Sequence, residues 1–151
     1  MPSYEAPPAE AVELGGNWRR LVEGWIAQRG LRTASDTSTV SVDFDVPEAQ
    51  RTVTVRFVAT KTLLVAFMTD GRFLRPDQLA LAAAAANAWN IEQLTPMLSV
   101  WDVRGPQPCL AGTCTLPLRC RLTATDFHAQ AGDWLDQAGH MFTKCHQVFE
   151  L

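Results

Sequence analysis

Apolar and polar positions along the chain fall into two periods, and these predict the elements. From Asn17, a good N-cap, the apolar residues Trp18, Leu21, Val22, Trp25 and Ile26 follow i, i+3, i+4, i+7, i+8. That spacing is one face of a helix. Gly30 is placed to take the left-handed conformation at its end, with Leu31 folding back onto Ile26. Period two then takes over. Over Ser38–Val46, residues Val40, Val42, Phe44 and Val46 alternate with Ser41, Asp43 and Asp45; over Thr52–Val58, residues Val53, Val55 and Phe57 point one way. Lys61–Met68 is apolar on both faces, Leu63, Val65 and Phe67 on one and Leu64, Ala66 and Met68 on the other. A strand apolar on both sides asks for a second layer over its back, either a helix or another molecule.

Pro76 suits the first turn of a second helix, on which Leu79, Ala83, Ala86 and Trp89 lie near one face. The run Ala82–Ala86 has high helix propensity and little bulk, so a neighbour can approach closely. Pro96 ends it. Strands are expected at Met97–Val103 and about Cys109–Leu122, with Pro117 placing the latter at a sheet edge or bulge. A stripe from Phe127 to Phe149 then predicts a long final helix over about Thr125–Phe149. The order is α-β-β-β-α-β-β-α, an α+β fold with an antiparallel five-stranded sheet packed with helices. Residues 1–16, rich in Pro, Gly and Glu, read as a flexible lead-in, and 17–151 as a single domain.

Composition sharpens this picture in one respect. The chain has 151 residues, enough for one domain, and 47% are hydrophobic, but only 19% are charged. The deficit is not spread evenly. Only Lys61 and Asp102 carry charge within Lys61–Met68, Leu79–Trp89 and Met97–Val103. Those three spans form a candidate contact surface. Its candidate interface or structural residues are Leu64, Ala66, Met68, Ala83, Ala86, Asn87, Trp89, Asn90 and Trp101.

The remaining charges exclude several functions. Net charge is −3, and the 11 arginines are scattered with no basic run longer than two. Nucleic-acid binding needs a concentrated positive face, so no nucleic-acid partner is expected. Met1–Leu14 has no basic residue and no apolar core, which is unlike a signal peptide. No stretch approaches the ~20 apolar residues of a membrane helix. A cytoplasmic location without membrane association is expected, and the four cysteines (Cys109, Cys114, Cys120, Cys145) then read as reduced thiols.

Candidate chemistry is sparse. No C-x-x-C or H-x-x-x-H occurs to let one element present two metal ligands. Asp136 and His140, at i, i+4, supply half of a Cys–His–acid arrangement, but their neighbours Asp133, Gln137 and Lys144 mark a solvated helix face. Asp43 and Asp45 sit on the polar side of a strand, where neither carboxyl is desolvated for acid–base work. Gly15–Gly16 follows no strand and is not a phosphate loop. No catalytic residue, cofactor or metal is therefore assigned. Asn87 and Asn90, poor helix formers, are expected to bond across to a strand or a loop, or to cap the helix end before Pro96.

The segment AANAWNIEQLTP (Ala85–Pro96) resembles the YbjN-like family of bacterial proteins, associated with sensory transduction regulation. Its N-x-W-N element closing the middle helix, followed by Pro and a strand, is matched here by Asn87, Trp89, Asn90 and Pro96. The resemblance covers about Asn17–Phe149 and implies a fold similar to type III secretion chaperones, which bind segments of other proteins and form homodimers. It implies no catalytic residues. Relatives often carry an acidic turn where this chain has Arg104–Pro108 (RGPQP). The function expected is a protein-interaction module, a regulator or chaperone-like adaptor that dimerises and binds a protein partner. The competing expectation is a small-molecule-binding protein or small enzyme, with a pocket near Trp89, Asn90 and Trp101.

Overall fold

The computed structural model describes residues 10–151. Strand β1 (Val12–Glu13) leads into helix α1 (Leu14–Arg29), followed by β2 (Arg32–Ser35), β3 (Thr39–Val46), β4 (Arg51–Ala59) and β5 (Leu63–Thr69). Helix α2 (Leu79–Gln93), β6 (Met97–Trp101), β7 (Cys109–Pro117), β8 (Arg121–Leu122) and helix α3 (Ala124–Phe149) complete the chain. The main sheet is antiparallel in the order β2-β3-β4-β5-β7-β6, and β1 pairs separately with β8. Six strands and a two-stranded ribbon thus replace the five expected.

Each difference has a local cause. Helix α1 begins at Leu14 and not Asn17, because its first amides are bonded from outside. Leu14 and Gly15 donate their N–H groups to the main-chain oxygens of Cys120 and Leu118, both at 2.8 Å. With those donors satisfied, no side-chain cap is needed, and Asn17 instead donates to the Glu13 oxygen at 2.7 Å. Residues 12–16 of the expected lead-in are therefore structured, with Leu14 fully buried; residues 1–9 lie outside the described residues. Strand β2 is exposed at every position and so has no hydrophobic alternation to betray it. Pro117 does not make β7 an edge strand, since β7 lies between β5 and β6. Pro117 pairs with Leu63, while the pairing with β6 ends at Thr113, so the missing N–H falls where the strand has one neighbour.

The expected end of α1 is present: Gly30 adopts φ 64°, and Leu31 donates to the Ile26 oxygen at 3.3 Å. All three helices pack on one face of the sheet. Val40, Val42, Val53, Val55, Phe57, Leu64, Ala66 and Met68 meet Trp25 of α1 and the Phe127–Cys145 stripe of α3 in one core. Trp25 lies edge-on to Phe57 with centroids 5.9 Å apart. Helix α3 crosses closely over β7, where a Cβ on Gly112 would sit 2.5 Å from the Met141 methyl. Its N-terminus is capped by Thr123, whose hydroxyl accepts from the Asp126 N–H at 3.0 Å. At 1.5 Å per residue α3 is roughly 39 Å long and spans the whole layer.

Candidate interaction surface

Strand parity divides β5 cleanly. Leu64, Ala66 and Met68 are 0% exposed and belong to the core. Leu63, Val65 and Phe67 point to the opposite face, which no helix among the described residues covers. The interface reading of Leu64, Ala66 and Met68 is thus corrected: the helical layer buries them, and the outward residues of the same strand take their place on the surface.

That outer face has two halves. Over β2–β4 it carries Arg32, Asp43, Asp45 and Arg56, as their register requires. The acids are tied locally: Asp43 accepts from the Thr54 hydroxyl at 2.6 Å, and Asp45 from the Thr52 hydroxyl at 2.9 Å. Over β5, β7 and β6 the outward residues are Leu63, Val65, Phe67, Thr69, Ala111, Thr113, Thr115, Met97, Ser99 and Trp101, without a charge. Trp101, half exposed, stands edge-on to Phe67 at 4.6 Å. Ala111, on this face, is fully buried.

The middle helix resolves the asparagine–tryptophan motif. Trp89 is buried, and its indole N–H donates to the Pro96 oxygen at 2.8 Å. Asn90 donates its amide to the Leu98 oxygen and accepts the Leu98 N–H, both at 2.8 Å. Its side chain thereby stands in for a neighbouring strand at the open edge of β6, which protects that edge from pairing with another chain. Ala86 is buried, whereas Ala83 and Asn87 are exposed. Trp89, Asn90 and Trp101 do not line a shared pocket: the polar atoms of the first two are bonded to backbone, and Trp101 projects from the other side of the sheet.

Eight large apolar side chains are exposed among the described residues, and seven lie between Phe73 and Val103: Phe73, Leu81, Ile91, Leu94, Met97, Trp101 and Val103. Leu81 and Ile91 are on α2, and Leu94 and Met97 connect it to β6. A groove of about 570 Å³ between α2 and α3 is lined by Gln93, Thr95, Gln137, His140, Lys144 and Val148 over Trp89.

One cluster escaped the sequence reading. Arg51 and Asp70 form an ion pair with both side chains 3% exposed. The same guanidinium donates to the Leu151 main-chain oxygen and lies 3.3 Å from His146 Nδ1, so it ties the ends of β4 and β5 to the end of α3. Its Nε is buried without a partner. The signal was parity: Arg51 precedes Val53 by two and must point inward with it.

Cys109, Cys114 and Cys145 are not activated. Burial pushes Cys114 up to about 12. Burial and, to a lesser degree, the Asp70 carboxylate do the same for Cys145, also to about 12, against an ordinary 9.0. Cys109 is raised, first by burial and then by Asp70 and Asp102. Cys145 is thus a protonated core thiol at neutral pH, unsuited to nucleophilic attack, while Asp136 and His140 are exposed. Among the described residues no three His, Cys, Asp or Glu side chains group to hold a metal ion, and no helix is long and apolar enough to cross a membrane.

No protein-family profile matches the sequence, and no curated protein does. A solved structure is similar in fold: the crystal structure of YbjN from E. coli, described as a candidate transcription regulator, superposes with a TM-score of 0.69 at 13% identity. The match covers 85% of this chain and 90% of that one. The chain therefore has a YbjN-like α+β fold.

Proposed function

We propose that this protein is a regulator-type interaction module without catalytic activity, which forms a homodimer and binds a protein partner in the cytoplasm. The observation that carries the reading is the concentration of exposed apolar side chains between Phe73 and Val103. Scattered single apolar residues are ordinary on a surface, and the crowding of seven of the eight exposed ones into one stretch of the chain is what supports the contact reading. The structural likeness to YbjN favours regulation over a purely chaperone-like role. Scattered arginines and a net charge of −3 favour action through protein contacts over direct contact with DNA. A chaperone-like adaptor would use the same apolar surface and is part of the proposal.

Light scattering across a concentration series tests the dimer. Twice the 16.7 kDa chain mass is expected at micromolar concentration. A mass that stays at 16.7 kDa up to about 100 µM, where a contact worth roughly 5.5 kcal/mol already associates, overturns it.

A further inference from the structure

The end of α3 is held by a contact that only one form of a histidine can make. Arg51 reaches it from the start of β4, donating to Asp70 and to the Leu151 main-chain oxygen and lying 3.3 Å from His146 Nδ1. A guanidinium has donors but no acceptor, and it keeps its charge at any accessible pH. His146 Nδ1 must therefore present a lone pair, which places the ring proton on Nε2 and leaves the ring neutral. The Leu151 N–H donates in turn to the Cys145 oxygen at 3.0 Å, so the last turn of α3 is gathered around one guanidinium. Cys145 and Leu151 are buried there, and His146 is half-buried.

We propose that this clasp is acid-sensitive: when His146 takes up a proton, the last turn of α3 lets go of β4 and β5. Protonation turns the acceptor into a donor and sets two cations in contact. One of them is Arg51, whose side chain is 3% exposed, where water screens little of the repulsion. Arg51 cannot give way, because its strand is paired to Val46 of β3 and its guanidinium to Asp70. Nor can Asp70 serve both cations: one carboxyl oxygen accepts from Arg51 and the other from the Arg72 N–H at 3.2 Å. The other charged groups around this end of α3 are engaged or in water. Glu92 of α2 is held by Lys144 at 2.6 Å. Glu48, in the turn Pro47–Ala49, is exposed and lines a groove with His140 and Thr143, not with His146. Arg72 and Glu150 are exposed, and the Cys109 and Cys145 thiols, which Asp70 helps to raise, are neutral. Glu150, four residues after His146, and the negative end of the helix favour a charged ring, but they act through water, which screens them. The clasp is therefore at full strength above the ordinary histidine value of ~6.5 and is lost as pH falls through that range. The turn it frees carries Gln147 and Val148, which wall the groove over Trp89, so acid reshapes that side of the molecule. The clasp works within one chain and needs neither a second copy nor a partner.

Nitrogen NMR of the histidine rings and the backbone tests it. At about pH 7.5, above the ordinary histidine value, His146 is expected as the Nε2–H tautomer. Residues 145–151 should then share the rigid order parameters, about 0.85, of the rest of α3. At about pH 5, below the histidine range but above the range in which Asp36 titrates, the same residues are expected to fall below about 0.6, while residues 127–142 stay rigid. His146→Gln offers a carboxamide oxygen that does not titrate, and it should abolish the response to pH. His146→Lys, with a fixed charge, should loosen the last turn already at neutral pH, and His140→Gln should respond as the parent does. An Nδ1–H tautomer at neutral pH, order parameters that do not change between the two pH values, or a response that survives in H146Q overturns the acid-sensitive clasp.

Discussion

A buried guanidinium loses hydration worth several kcal/mol and persists only where its donors are taken up. Arg51 meets that condition at its two terminal nitrogens, through Asp70 and the Leu151 oxygen, with Nε left unpartnered, and at one point joins three elements distant in sequence. Removing one member leaves the other buried and unpaired, so Arg51→Met is expected to destabilise the fold by about 3–5 kcal/mol. Adding Asp70→Leu to Arg51→Met removes the stranded carboxylate and should restore much of the loss. Urea unfolding of the two variants checks both statements, and an Arg51→Met chain within about 1 kcal/mol of the parent, the net worth of an ordinary hydrogen bond, contradicts them. Asn90 shows the same economy in neutral form, with a single amide satisfying the N–H and C=O of Leu98. Its bonding across to a strand was readable from sequence, because asparagine inside an alanine-rich helix needs a reason to be there. Arg51 was not, because one charged residue at the start of an alternating strand looks like an exposed terminus until its register is known.

At the scale of elements, legibility followed burial. The pair β3–β4 was readable because half its residues alternate into the core, and α1 and α3 because their apolar stripes are unbroken. Strand β2 was invisible, since its four residues are exposed and its formation depends on a turn. That turn is built on Asp36, whose carboxylate accepts from the N–H groups of Ser38 and Thr39 at 2.8 and 2.9 Å and from the Thr39 hydroxyl at 3.0 Å. These bonds, led by the Ser38 N–H, lower the Asp36 pKa from 3.8 to about 2. A depressed acid stabilises the fold above its unfolded pKa and loses that contribution as pH falls through the folded one. The turn is therefore at full strength above about pH 4 and weakens toward pH 2. Asp36→Ala should lower the thermal midpoint at pH 7, and its gap from the parent should close as pH falls over that window. A gap of equal size at pH 7 and pH 2 would mean that the carboxylate charge does not hold the turn.

On the scale of the whole molecule, three helices pack on one side of the sheet, and among the described residues no helix covers the other side. The sequence showed that β5 was apolar on both faces but not which face the helices would take. That choice is made by α3, which crosses β7 over Gly112 and buries the residues sharing its parity: Cys114, and through the ladder Ala66 and Met68. The same choice sets the molecule's response to alkali. Cys114 and Cys145 lie in one core, and each is held near 12 where the unfolded thiol ionises near 9.0. Between those values the unfolded chain releases protons that the folded chain keeps, so stability must fall as pH rises above about 9. Each group contributes up to about 1.4 kcal/mol per pH unit. The C114A/C145A double variant lacks this linkage. Its stability, although lower at pH 7 because two core side chains are truncated, should decline less steeply from pH 8.5 to 10.5 than that of the parent. The two chains differ only at these thiols, so the difference in slope isolates them, and parallel curves would place them in contact with water in the folded state.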